Sequence, residues 1–416
     1  MSIGLGLRPW MTAPATMVVM DALEAAGGPD CARFVGGSVR NSVIGRPVDD
    51  IDIATTLTPD AVTAALKAAG LRAVPTGIDH GTVTAISAGR PYEITTLRRD
   101  VATDGRRATV AFTDDWAEDA ARRDFTLNAL YADRQGVVLD PTGRGLADAR
   151  AGRIVFVGEP AARLGEDYLR SLRFFRFTAW YGRGAPDAAG LAACAAMTEG
   201  LAQLAAERIS KELLKLLAAE DPRAAVQLMA GAGVLAAIAP EAVNPARFAA
   251  LVAIEADQLF ENDPVLRLAA LLADDQPAAG RLAQRLRLSN AQRDRLLAAL
   301  APTPELKSWM SPREIRRAVY RAGLATFRDR AKLAWASATR SAPTIQWRGM
   351  IALAEGWTRP TLPLTGADVL KAGVPKGPLV GQVLAEVEAW WIDHDFIDDK
   401  LSAVEKLKAV AQGMAF

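Results

Sequence analysis

The sequence predicts an α+β domain at the N-terminus followed by a long all-helical remainder, and three observations carry that reading. Up to about residue 140, short β-branched stretches such as GTVTAISA and YEITTL alternate with Gly and Pro turns, the texture of a mixed sheet-and-helix domain. From about residue 160 onward, Ala, Leu and Arg recur at helical spacing and no convincing strand pattern stands out. Between the two lies DPTGRGLADARAG (140–152), where Pro and Gly cluster, and a soft joint is expected there. A second joint is expected at RSAPTIQWRG or TRPTLPLTGAD, marking off the C-terminal helices. No repeat of fixed period is evident.

At 416 residues the chain exceeds a single ordinary core, so two to four domains are expected. Lys+Arg 49 against Asp+Glu 48 leaves a formal charge of +1, so no global basicity announces a nucleic-acid partner, and any such binding must come from local patches. Cys31 and Cys194 are too few for a disulfide scaffold or a cysteine zinc site, which fits a reducing cytoplasm. The N-terminus lacks the order and length of a signal peptide, and no apolar run approaches about 18 residues. A cytoplasmic protein that neither leaves the cell nor spans a membrane is the expectation.

The stretch FVGGSVRNSVIGRPVDDIDIATT (34–56) concentrates the chemistry. In a strand, alternate side chains face opposite ways, so Asp50 and Asp52 project together while Ile51 and Ile53 point to the core. Two such carboxylates repel, and a divalent metal between them is the economical remedy, in the arrangement used for in-line phosphoryl transfer. Asp49 points the other way and shapes the strand entry. An isolated Asp-x-Asp is more often a solvated strand edge. Here, however, Gly36 and Gly37 precede it and let backbone N–H groups approach a ligand that any Cβ would block. Arg40, about a helical turn on, supplies a fork suited to phosphate oxygens. Together these features favour a nucleotide site.

The same stretch resembles the first signature of the class II tRNA nucleotidyltransferase (CCA-adding) and bacterial poly(A) polymerase family, within the DNA polymerase β-like nucleotidyltransferases. Three further motifs follow in the family's order: ARRDFTLNALY (121–131), EDYLRSLRFFRF (166–177) and ERISKELLKLL (207–217). They cover the first 220 residues, while the rest is matched loosely, through LTGADVLKAGVPKGPLVGQVL. The resemblance implies an α+β polymerase β-like head (1–140) and an all-α neck (141–225), body (226–345) and tail (346–416). It implies addition of CCA to the tRNA 3′ end from CTP and ATP, without a nucleic-acid template. By that implication Asp50 and Asp52 hold Mg²⁺, and Gly36, Gly37 and Arg40 meet the triphosphate. Arg123 contacts the nucleotide, and Asn128 supports the same pocket. Glu93 in YEITTL is the candidate third carboxylate, with a plain surface residue as the even alternative.

For EDYLRSLRFFRF, about 100° per residue puts Asp167, Arg170 and Arg173 on one side of a helix and Leu169, Leu172, Phe175 and Ala179 on the other. A solvated Asp167–Arg170 pair would satisfy that pattern as well. The family assigns these two to reading the incoming base, with Arg173 and Arg176 lining the site; Arg176 lies nearer the apolar edge, where a structural role is also open. Cytosine and adenine each offer an exocyclic amine beside a ring-nitrogen acceptor, which a carboxylate and an arginine match; guanine and uracil reverse both.

The family's mobile head loop corresponds to RDVATDGRRATVAFTDDW (99–116), whose charges and Gly105 suit a flexible segment. Arginine-bearing runs at 281–296 and 313–323 are candidate tRNA contacts or simply solvated faces. Three departures stand out: Asn41 where Asp is usual after the arginine, Tyr168 where a smaller residue or Pro is usual, and bulky Phe174 and Phe175. The latter changes would tighten the base pocket or repack the neck. His394-Asp395 resembles part of a metal phosphohydrolase site, but His80 and His394 are the only histidines; His80 is expected to orient a turn. No G-x-x-x-x-G-K-[ST] loop occurs, so ATP is expected as substrate rather than motor fuel. The alternatives are a poly(A) polymerase or a C-only or A-only enzyme of the same fold, and an inactive RNA-binding relative.

Overall fold

Alternation in DDIDIATT sets the first strands. In the computed structural model, which describes residues 4–77, 81–104, 107–338, 344–396 and 399–413, with the side chains of 100–110 outside that description, Ile51 and Ile53 are buried and Asp52 between them is half-buried. His80 and Gly105 lie outside the described residues. The head strands are β1 (Ala32–Val35), β2 (Asp52–Thr55), β3 (Arg72–Gly77), β4 (Thr82–Ser87), β5 (Arg90–Thr96), β6 (Arg98–Asp104), β7 (Arg107–Phe112), β8 (Tyr131–Ala132) and β9 (Val138–Leu139). Seven form one sheet in the order β3-β4-β5-β2-β1-β8-β9. β2 and β5 run parallel, and the other pairings are antiparallel. Helices Pro14–Gly27 and Pro59–Ala68 pack on each other and on β4, burying Val19, Met20, Leu23, Val62 and Leu66.

One segment gains detail and two expectations change. The 99–116 segment is largely a ribbon: β6 and β7 pair antiparallel as a sheet of their own. The 140–152 stretch is folded rather than slack. Its helix Gly145–Ala151 begins with Asp140 Oδ2 accepting from Leu146 N–H at 2.9 Å, and fully buried Asp148 accepts from Thr126, Arg144 and Arg153. EDYLRSLRFFRF runs from the last residue of helix Pro160–Glu166 across a break into helix Leu169–Tyr181, because Asp167 is extended (φ −155°, ψ 105°) and its Oδ1 accepts from Leu169 N–H at 3.1 Å, an Asx turn that competes with helix continuation.

The Leu169–Tyr181 helix buries Leu169, Leu172, Phe174, Phe175 and Phe177. Phe174 stacks on Phe156 at 5.6 Å, and Phe125 packs against Phe156, Phe174 and Phe177. The bulky phenylalanines thus fill an aromatic core. Helix Ala206–Leu217 packs on the same helix, with Ile209, Leu213, Leu216 and Leu217 buried.

The described residues form two compact units, one through Pro240 together with Arg285–Arg287 and one comprising the rest. The second is helical. Phe327, Trp335, Trp347, Met350 and Ile351 share one core, Val369, Val383, Val387, Ala403 and Leu407 another, and a fully buried Arg267–Glu255 pair at 2.6 Å joins helices Pro264–Leu271 and Pro245–Asp257. Among the described residues no helix is long and apolar enough to cross a membrane.

Tyr168 lies flat against Gly200, where an added Cβ would fall 2.0 to 2.3 Å from its ring. Gly200→Ala should therefore cost roughly 1–3 kcal/mol in urea unfolding, and far less in a Tyr168→Ala background. Equal costs in both backgrounds would show that the ring contact is not what requires glycine.

Candidate active site

Parallel register places Asp52 of β2 directly beside Glu93 of β5, and Asp50 lies just ahead of the strand. Burial, then the charges of Glu93 and Asp50, push the Asp52 carboxyl up to about 6, against the pull of Arg123 and Arg40. None of the three carboxylates is ion-paired or hydrogen-bonded through its side chain among the described residues. Like charges gathered without a counter-ion fit a divalent cation's donor set. No group of three or more His, Cys, Asp and Glu among the described residues closes into a metal cage, so these oxygens suit an ion that takes its other ligands from phosphate and water.

Beside them the chain turns at Gly36, whose φ of 67° and ψ of −119° start helix Gly37–Ile44. That conformation disfavours any side chain. An added Cβ would also lie 3.8 Å from Arg123 Nη1, so the turn and Arg123 adjoin.

Each arginine of the site is held by its own partners. Arg123 donates to Asp119 Oδ2 at 2.9 and 3.1 Å and to Tyr131 Oη at 3.1 Å. Burial works to raise the Asp119 carboxyl, yet Arg123, Arg122 and the Tyr131 hydroxyl hold it at about 2. Arg40 is 7% exposed and is not an open fork: it donates to Asn128 Oδ1 at 2.5 Å, to Asn41 Oδ1 at 3.0 and 3.2 Å and to Tyr181 Oη at 2.8 Å, and it stacks on the Tyr181 ring at 4.0 Å. Asn128 Nδ2 donates to Asp124 Oδ1 at 3.0 Å, and Asp124 Oδ2 accepts from Arg173. Asn41 also donates to Pro47 O at 2.8 Å, tying the helix to the loop that leads to Asp50.

Asp167 and Arg170 are not paired with each other. Asp167 Oδ2 accepts from Arg208 at 2.7 Å, while Arg170 donates to Glu166 Oε2 at 2.5 Å and to the carbonyls of Arg163 and Arg122. Arg176 leans on Phe177 and donates to Glu212 at 2.5 Å. Asp119, Asp124, Tyr131, Glu166, Tyr181, Arg208 and Glu212 are the partners that sequence reasoning missed. A spacing of four could have revealed Asp119–Arg123, at the end of its helix; Glu166–Arg170 has the same spacing but forms across the break at Asp167. In the helical unit, Arg295, Arg316 and Arg317 of the expected RNA-facing runs are tied to Asp263 and Asp329, Asp395, and Asp393.

A sheet that carries this carboxylate set beside a glycine turn and anchored arginines defines a nucleotidyltransferase head. Residues 32–155 match the family described as Poly A polymerase head domain, and 187–244 match a probable RNA and SrmB-binding site of polymerase A. Over 388 residues, 90% of this chain and 86% of the relative, the sequence is 32% identical to mouse CCA tRNA nucleotidyltransferase 1, mitochondrial. It is also 32% identical to the CCA-adding enzyme of Latilactobacillus sakei, over 89% of this chain and 91% of that one. The chain belongs to the CCA-adding tRNA nucleotidyltransferase family. Its fold is similar to the crystal structure of the Bacillus stearothermophilus CCA-adding enzyme in complex with CTP (TM-score 0.76, 26% identity, 97% of this chain and 100% of that one).

The depressed Asp119 carboxyl makes its ion pairs a source of stability that is full above about pH 4 and lost as pH falls toward 2. Unfolding free energies of wild type and Asp119→Asn should differ by a constant amount above about pH 4 and converge as pH approaches 2. A gap independent of pH down to 2 would contradict the Asp119 assignment.

Proposed function

We propose that this protein is a CCA-adding enzyme: it transfers CMP, CMP and AMP from CTP and ATP to the 3′ end of tRNA, without a nucleic-acid template, and releases pyrophosphate. The observation that carries this reading is the in-register pairing of Asp52 with Glu93, next to Asp50 and the Gly36 turn. Asp50 and Asp52 would hold Mg²⁺, which supplies positive charge to the reacting and leaving phosphate oxygens, with Glu93 as the third carboxylate. The Gly37 N–H and the start of its helix receive the triphosphate at the Gly36 turn, whose own N–H is spent on the Leu130 carbonyl at 3.1 Å, and Arg123, fixed by Asp119 and Tyr131, donates to it without reorganising. Arg40 and Asn128 brace that wall.

Asp167 and Arg170 read the base. Each has spare capacity: a carboxylate offers about four lone-pair sites and a guanidinium five N–H donors, more than the partners described above consume. Asp167 accepts from the exocyclic amine of cytosine or adenine, and Arg170 donates to the adjoining ring nitrogen. Arg173, held by Asp124, and Arg176, held by Glu212, line the same wall. Cys31 and Cys194 are free buried thiols, which suits a reducing cytoplasm.

The test supplies CTP and ATP, singly and together with Mg²⁺, to tRNAs ending before CCA, after C and after CC. Ordered C, C, A addition that then stops is expected; an open-ended A tail would mark a poly(A) polymerase, and no incorporation an inactive relative. Asp50→Ala and Asp52→Ala should each lower kcat at least about 10³-fold. Asp167→Ala or Arg170→Ala should raise misincorporation of G and U more than it slows transfer. Full activity in both Asp50→Ala and Asp52→Ala would remove the assignment of the carboxylates.

A further inference from the structure

We propose that a basic strip beside the site, running from Arg46 across Tyr181 and Trp180 to Lys215 and Lys211, binds the sugar–phosphate backbone of the RNA strand being extended. This rests on the reading above and separates the cations that serve the RNA from those that serve the nucleotide.

Three elements build the strip. Lys211 and Lys215 are exposed and spaced i,i+4 on helix Ala206–Leu217, so they share its outer face while Ile209, Leu213 and Leu216 point inward. Trp180 joins this helix to the next element: its Nε1 donates to the Lys215 carbonyl at 2.8 Å. Neighbouring Tyr181 carries Arg40 at 4.0 Å and Arg46 at 5.0 Å over its ring. Arg40, the shared member, donates to Asn128 Oδ1 at 2.5 Å, so the strip adjoins the wall of the site.

The charges are crowded. Partial burial, then Arg176, Lys211 and Arg173, push the Lys215 ammonium below its usual value, with Glu212 as the opposing acid. Arg40 is lowered by burial and also feels Arg176 and Arg46. The acids that face this side are already engaged, Asp124 by Arg173 and Glu212 by Arg176. Arg46, Lys211 and Lys215 form no ion pair among the described residues.

Cations held together without counter-charge, interleaved with aromatic faces, match a polyanion that carries planar bases. A triphosphate would engage one end of such a strip, whereas a strand uses its length across the Arg46 loop, the end of the Leu169–Tyr181 helix and the outer face of the Ala206–Leu217 helix. In a chain of net charge +1, so local a surplus is where counterion release on RNA binding would arise.

The test uses the full chain, a tRNA lacking CCA, and Arg46→Glu, Lys211→Glu and Lys215→Glu, singly and combined. Each single variant should raise the KM for tRNA about 5- to 10-fold, and the triple should flatten the slope of log Kd against log salt by about 2–3 units in filter binding. The KM for CTP should stay within about twofold, and Lys215→Arg should keep tRNA affinity. Unchanged tRNA affinity, or a KM for CTP rising in step with that for tRNA, would overturn the strip. If the wild type incorporates no nucleotide, the reading of the site fails, and filter binding still decides the strip by the same slope.

Discussion

Like charges gathered at the start of β2 set the terms for the rest of the head. The sheet itself brings them together: β2 and β5 pair in parallel with Asp52 opposite Glu93, and Asp50 precedes the strand. Such a cluster keeps its charge only if nearby cations stay close without collapsing onto it. Arg123 and Arg40 both act on Asp52, yet Arg123 is tied to Asp119 and Tyr131, and Arg40 to Asn41, Asn128 and Tyr181. These tethers leave the carboxylates biased toward a ligand cation. The same logic runs outward, since Arg173 rests on Asp124, and Asp124 in turn accepts from Asn128.

Strand periodicity and spacing made the start of this arrangement legible. Alternation over 50–53 identified which aspartates leave the core, and the position of YEITTL anticipated that Glu93 would arrive from a later strand. What remained hidden depends on contacts between distant positions: Arg40 with Tyr181, Arg173 with Asp124, Asp167 with Arg208. Helical phase misled at Asp167, because a backbone break there resets the direction of every residue before it. Asp167 and Arg170 therefore take different partners instead of pairing across one face. The β6–β7 ribbon escaped for another reason. It pairs only within itself, as a two-stranded sheet apart from the main one, so the pattern of the main sheet's strands does not extend to it.

The departures from the family pattern now have physical accounts. Asn41 does what an aspartate could, accepting from Arg40 through Oδ1, and it also donates to Pro47 O, which a carboxylate cannot do. Charge is given up for a second tether on the loop leading to Asp50. Tyr168 is accommodated by Gly200, which has no Cβ to clash with its ring. Phe174 and Phe175 are fully buried in the aromatic core, so their bulk serves packing.

Electrostatic economy in the helical unit bears on how such a chain selects RNA. Several arginines of the basic runs are matched there: Arg295 sits between Asp263 and Asp329, and Arg316 and Arg317 face Asp395 and Asp393. Matched cations add little long-range attraction for a polyanion. Recognition then depends on the cations left without acids and on the shape of the surface that presents them. An enzyme that must engage one end of a folded RNA and release it after a fixed number of additions is better served by that distribution than by uniform positive charge, which would hold product and substrate alike.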